Sequence, residues 1–164
     1  NESDKTVDNV VDYLSMDPHN RIYMYMYGEK YSCTVIGNVW DFYDGDTAIT
    51  YAQRPSFEES TQIKDIVDFY DYMSNYFDEI LPTKQKKYDF KKLGEKTING
   101  IKVREFEGTI IDDGDQSHPS KAYTFNYNGE DIIVIAVSME NNNEMKNKME
   151  NDLEYFMTHL KFGE

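Results

Sequence analysis

Ala122-Tyr-Thr-Phe-Asn-Tyr-Asn-Gly-Glu-Asp-Ile-Ile-Val-Ile-Ala-Val137 decides the fold of this chain. Its first part sets rings at Tyr123, Phe125 and Tyr127 against small or polar side chains at Ala122, Thr124 and Asn126, the period of a half-buried strand. Asn128-Gly129 supplies the dipeptide that a tight hairpin favours, because both central residues must take positive φ. Ile132 to Val137 does not alternate at all. A strand that is apolar on both faces needs cover on both faces. The stretch therefore predicts an antiparallel hairpin within a sheet sandwiched between helices.

Downstream, Met145, Met149, Leu153, Phe156, Met157 and Leu160 fall on one side of a helix predicted over 143–160. His159 stands at its C-terminus, where a cation suits the helix dipole. Upstream, Asn99-Gly100 joins Leu93–Ile98 to Ile101–Ile111 as a second hairpin, and a polar loop over 112–120 leads to the final one. A long central helix over 61–81 starts at Ser60 or Thr61. It carries the stripe Ile63, Ile66, Val67, Tyr70, Met73, Phe77, Ile80 and Leu81, and stops at Pro82. Lys84 to Lys92 reads as a basic, extended connection.

At the other end, Val7, Val10, Val11 and Leu14 predict a helix over Thr6–Met16. Arg21–Tyr27 and Tyr31–Ile36 then read as a hairpin about Gly28-Glu29. Gly37–Asp46 reads as a loop, and Thr47–Gln53 as a strand stopped by Pro55. Helices separated by runs of hairpin-linked strands give an α+β fold with an antiparallel sheet. No linker divides residues 1–164, so the chain reads as a single domain with 1–5 as a disordered lead.

The formal net charge of −14 argues against nucleic acid and against an anionic bilayer surface, since binding phosphates takes clustered Lys and Arg. With 14 Tyr and 9 Phe the chain has ample material for a core. The sole cysteine, Cys33, excludes an internal disulfide and reads as a small buried hydrophobe. No window is long and apolar enough to span a membrane. A polar start at Asn1, few Cys and Arg, and abundant Lys, Asn, Asp and Tyr suit an extracytoplasmic bacterial protein, secreted or lipid-anchored to the cell surface.

Three features resemble the PsbP-like and Mog1-like families, bacterial lipoprotein-type members included. They are the Gly94-Glu-Lys-Thr-Ile-Asn-Gly-Ile101 hairpin, the Ala122-Tyr-Thr-Phe…Tyr-Asn-Gly pattern running into an apolar strand, and the terminal helix ending in Leu160-Lys-Phe162. The resemblance spans roughly residues 20–162. It implies an α/β/α sandwich about a central antiparallel sheet, and non-enzymatic binding or assembly work. It brings no site residue with it.

Candidate chemistry is sparse. Asp112, Asp113 and Asp115 about Gly114, with Glu130 or Asp131 nearby, offer hard oxygen ligands of the kind calcium takes, as do Asp41, Asp44 and Asp46 about Gly45. Neither loop has the twelve-residue EF-hand spacing, and both read more simply as solvated hairpin loops. No metal and no cofactor is expected. His19, His118 and His159 lie too far apart in sequence for zinc spacing, and Ser117-His118 sits on no nucleophile elbow. Tyr23, Tyr25 and Tyr27 share one strand face. With Trp40, Phe42 and Tyr43 as a rim, Tyr25 would line a groove for a protein or small polar ligand. The plainer reading puts these rings in the core, Trp40 first. The expected function is a non-catalytic extracytoplasmic binding or assembly domain. The alternative is a hydrolase using His118 and the carboxylates of the 112–120 loop.

Overall fold

The computed structural model describes residues 13–15, 22–25, 32–36, 39–55, 87–112 and 114–162. Ten strands and one helix fall in these residues: β1 (Tyr13–Ser15), β2 (Ile22–Tyr25), β3 (Ser32–Ile36), β4 (Val39–Tyr43), β5 (Thr47–Pro55), β6 (Lys87–Ile98), β7 (Ile101–Ile111), β8 (Ser117–Tyr127), β9 (Glu130–Ser138), α1 (Asn143–His159) and β10 (Leu160–Phe162). Seven strands form one antiparallel sheet in the order β3-β4-β5-β9-β8-β7-β6, and β1-β2-β10 form a smaller one.

The deciding hairpin is as its residues dictate. Tyr127 pairs with Glu130 across Asn128 (φ 48°) and Gly129 (φ 84°), the doubly positive turn that an Asn-Gly pair accepts cheaply. Asn99 (φ 55°) and Gly100 (φ 78°) repeat the device between β6 and β7. β9 sits at the centre of the sheet, between β5 and β8. Ile133 and Val134 point to opposite faces and are both 0% exposed, so cover exists on both sides.

One face carries Trp40 and Phe42 of β4, Ile49 and Tyr51 of β5, Val134 and Ala136 of β9, and Tyr123 and Phe125 of β8. These close around Met149, Leu153, Phe156 and Met157 of α1. The helix begins at Asn142, whose side-chain oxygen accepts from the Met145 N–H at 2.8 Å. Its end is held by Asn99 of the β6–β7 turn, which donates to the Met157 carbonyl at 3.2 Å and to the Leu160 carbonyl. The chain then continues as β10, which pairs with β2. On the second face Ala52, Phe106, Ala122 and Ile133 are buried as well.

Several expectations need correction. Tyr13–Ser15 is not helical; it pairs with β2, and the rest of the predicted N-terminal helix lies outside the described residues. β2 and β3 do not form a hairpin. β2 is taken by β1 and β10, while β3 pairs with β4. The reason is local, since Ile36 pairs with Val39 and leaves Gly37-Asn38 between them, the composition of a two-residue hairpin link. Half of the supposed loop over 37–46 is therefore β4, with Trp40 inside a strand.

The basic connection before Leu93 is strand as well from Lys87 on, and residues 84–86 lie outside the described residues. β6 runs from Lys87, and a bulge between Lys92 and Gly94 reverses which side chains face α1, hiding the alternation from sequence inspection. Likewise β8 begins at Ser117, inside the predicted 112–120 loop. Pro119 is tolerated there because it lies beyond Ser120–Val137, the last β8–β9 pair at that end. Gly108 lets Phe90 lie across it, since an added Cβ would come 2.8 Å from both Phe90 Cα and Cδ1 and closer still to the Asp89 carbonyl. The predicted central helix over 61–81 lies outside the described residues.

Candidate functional site

Strand directions bring the two acidic turns to one end of the sheet. β4 and β7 both run towards it and β5 and β8 both leave from it, with the end of β9 between them. The β4–β5 and β7–β8 turns are thus three strand spacings apart, roughly 14 Å centre to centre.

In the first turn, Asp44 Oδ1 accepts from the Asp46 N–H at 3.0 Å and the Thr47 N–H at 2.9 Å. Its Oδ2 accepts from Lys148 Nζ of α1 at 2.8 Å. Lys148 also bonds Asp152, one helical turn on, at 2.8 Å and reaches Asp46 at 3.8 Å. Burial pushes the Asp44 carboxyl up, but the Lys148 bond and the two backbone N–H groups outweigh it and hold it below the ordinary 3.8. The link from Lys148 to the turn escaped the sequence reading because Asp44 lies 104 residues away in sequence.

In the second turn, Asp112 Oδ1 accepts from the Gly114 N–H at 2.8 Å and the Gln116 N–H at 3.0 Å. Its Oδ2 lies 2.8 Å from His118 Nε2, and His118 Nδ1 lies 3.0 Å from the Ser138 carbonyl of β9. Both neighbours of the ring are acceptors. Each ring nitrogen is therefore turned towards an oxygen of the fold. His118 hence clamps the turn to the end of β9. Its bond leads the causes that hold the exposed Asp112 carboxyl below 3.8, with the Gln116 N–H next.

A second polar cluster lies on the helix side of β6, β7 and β8. Glu105 Oε2 accepts from Lys121 at 2.9 Å and pairs with Lys96 at 3.4 Å, and Tyr123 donates to it from 3.5 Å. Burial raises the Tyr123 phenol to about 12, with Lys121 opposing and the Glu105 charge reinforcing. Burial likewise pushes Glu105 up, yet Lys121 and Lys96 bring it below 4.5. Cross-strand neighbours of this sort become visible only once the register is known.

The residues named as a binding rim do not come together at the surface. Trp40 is 9% exposed and meets Tyr51 edge-on, with centroids 5.6 Å apart, while Phe42 is fully buried against Phe156 at 5.2 Å. Tyr43 alone stands out, 46% exposed, its hydroxyl donating to the Gly45 carbonyl at 3.3 Å. Tyr25 lies in β2, opposite Tyr13. Tyr123 and Phe125 are core, and Tyr127 packs beside Phe162 at 4.9 Å.

Glu130 and Asp131 open β9 at the far end of the sheet from Asp112, so they are no part of the acidic loop. Among the described residues, no three His, Cys, Asp or Glu side chains converge as metal ligands. His159 hydrogen-bonds the Tyr155 carbonyl at 2.8 Å and stacks on its ring, a helix-end role. Among the described residues, no helix is long and apolar enough to cross a membrane.

No family model matches this chain, and no curated protein is similar to it in sequence. Among solved structures it is similar to the solution structure of cyanobacterial PsbP (CyanoP) from Synechocystis. That similarity comes with 13% identity, a TM-score of 0.56, and coverage of 92% of this chain and 91% of that one. The fold is PsbP-like.

Proposed function

We propose that the chain is a non-catalytic extracytoplasmic binding or assembly domain, the soluble part of a bacterial secreted protein or lipoprotein. In this reading, residues 1–164 form a single domain of the α/β/α kind that PsbP-like and Mog1-like proteins share.

One observation carries the preference over a hydrolase. His118 has a fold oxygen within hydrogen-bond distance of each ring nitrogen, Asp112 Oδ2 and the Ser138 carbonyl, so neither nitrogen is directed at a nucleophile or water. Asp112 is spent on two backbone N–H groups and the imidazole, and Asp44 on two more and Lys148. These are the bonds of turns tied to a sheet.

The test is a panel of chromogenic ester, phosphate and peptide substrates, run on the wild type and on His118→Asn. No turnover above background in either protein is expected. Turnover by the wild type that the substitution abolishes would establish the hydrolase instead. Compartment is read from the native gene, where a signal peptide ending in a lipid-accepting Cys upstream of Asn1 is the expected result.

A further inference from the structure

We propose that the outer edge of β6, which among the described residues pairs with no further strand, receives an extended, acidic segment of another protein, which adds to the seven-stranded sheet as a further antiparallel strand. This rests on reading the chain as a binding module and names the chemistry of its partner.

β6 ends the strand order and, among the described residues, pairs only with β7, over a length of 12 residues. A strand so placed presents a row of unpaired backbone donors and acceptors. Lys91, Lys92, Leu93, Glu95, Lys96 and Thr97 are all exposed along it, Leu93 at 45%.

Charge says which strand fits. β6 itself holds four lysines, Lys87, Lys91, Lys92 and Lys96, and two acids, Asp89 and Glu95, so this strand is net positive in a molecule of net charge −14. Glu95, the one acid in the exposed run, is already paired with Lys102 at 3.1 Å and Lys92 at 3.7 Å. Lys91 makes no ion pair among the described residues.

Placement says what kind of acidic partner. Lys91 pairs in register with Glu107 and Lys96 with Val103, on the α1 side, whereas Lys92 pairs with Phe106 on the other. Lys91 and Lys92, as successive strand residues, thus stand on opposite sides of the edge, and the bulge after Lys92 brings Lys96 to the side of Lys91. A duplex or an anionic bilayer would meet one side and be repelled by the acidic remainder of the molecule. A strand laid along the edge sends its own side chains alternately to both sides and so reaches both sets.

A second copy of this chain is disfavoured, since β6 against β6 would oppose lysine to lysine between molecules of net charge −14. Lysines and a bulge are devices that keep an edge from pairing with its own kind. The partner they do not repel is an acidic one.

The test uses the full chain and a short fluorescent peptide of alternating Glu and Thr, followed by anisotropy, with a Lys/Thr peptide as comparison. The Glu/Thr peptide is expected to bind, to weaken steeply with added salt, and to weaken at least tenfold against a Lys91→Glu, Lys92→Glu, Lys96→Glu protein. Lys146→Glu on α1 should leave binding unchanged. Bound peptide should also slow amide exchange within residues 87–98, which contact through charge alone would not do.

Absence of binding overturns the proposal, as does binding that ignores the lysine reversals or leaves exchange in β6 untouched. So does tighter, lysine-dependent binding to anionic vesicles or duplex DNA, or a dimer in equilibrium sedimentation that the reversals dissolve. The hydrolysis panel separates the two readings. Turnover with intact peptide binding sinks only the non-catalytic assignment, and an inert protein that ignores the peptide sinks only the edge.

Discussion

Replacing Trp40 with Ala probes the reading that moves this ring from a surface rim into the core. Trp40 pairs with Val35 of β3 and Tyr51 of β5 in the sheet register and stands edge-on to the Tyr51 ring at an interplanar angle of 79°. A Trp side chain buries about 200 Å², which at ~25 cal/mol per Å² sets an upper bound of about 5 kcal/mol. An edge-to-face aromatic pair adds about 0.5–1.5 kcal/mol. The residual 9% exposure, the retained Cβ and partial collapse of the site subtract from this. The expected loss is about 3–5 kcal/mol, the range for large aromatic truncations in cores.

Urea unfolding followed by far-UV circular dichroism measures that loss, with Trp40→Phe expected to fall well short of it because most of the ring area survives. Trp40 is the only tryptophan, so wild-type emission reports this site alone. It should be blue-shifted and shielded from acrylamide, turning red and accessible only on unfolding. Emission like that of the free indole, or a loss for Trp40→Ala of about 1 kcal/mol or less at unchanged m value, would refute the core placement. It would also return the ring to the surface as a ligand contact.

Gly108→Ala should destabilise by about 1–3 kcal/mol or more, because the new methyl meets the β6 backbone, which cannot move aside; thermal unfolding reads it, and a neutral outcome would contradict the close Phe90 approach. Tyr123 favours its neutral form when folded, so its contribution is whole below the unfolded pKa near 10 and is lost as pH rises towards about 12. The loss at the alkaline end is about 2–3 kcal/mol at 1.36 kcal/mol per unit, absent in Tyr123→Phe, and pH-dependent urea midpoints measure it. Lys148→Met should cost about 1 kcal/mol at neutral pH, as the lysine is partly exposed. The depressed Asp44 makes that contribution present above the unfolded carboxyl value and lost as pH falls through the folded one, so wild type and variant should converge in acid.

What the sequence made legible is what local chemistry dictates. Asn99-Gly100 and Asn128-Gly129 name their own turns, Ile132–Val137 announces a strand covered on both sides, and the α1 stripe from Met149 to Leu160 states which face is inside. Failures occur where a non-local partner overrides the local pattern. Tyr13–Ser15 lies in a 3.6-residue apolar repeat, but β2 offers it a ladder, and tertiary pairing outranks a weak helical preference. β2 looked like the partner of β3 because they are adjacent in sequence, yet its actual neighbour β10 comes from beyond residue 159. In β6 a single extra residue at the bulge splits one strand into two alternation phases, so neither half reads as part of the other.

The candidate sites were illegible for a deeper reason, since their chemistry depends on how many bonds each group already makes. Asp112, Asp44 and His118 look reactive in a string of letters, where an acid, a glycine and a histidine close together suggest a ligand set. Folded, Asp112 and Asp44 lie at the ends of strands where backbone N–H groups need acceptors, and each carboxylate meets that need before any metal could. His118 is engaged at both ring nitrogens, by Asp112 and by the Ser138 carbonyl. Lys91 and Lys92 carry no such signature and read as a connection between elements, yet they stand on a strand whose outer side the described residues leave unpaired. On the binding reading proposed above, the groups to pursue are those with bonding capacity left over, and among the described residues Lys91 of β6, exposed and in no ion pair, is the first of these.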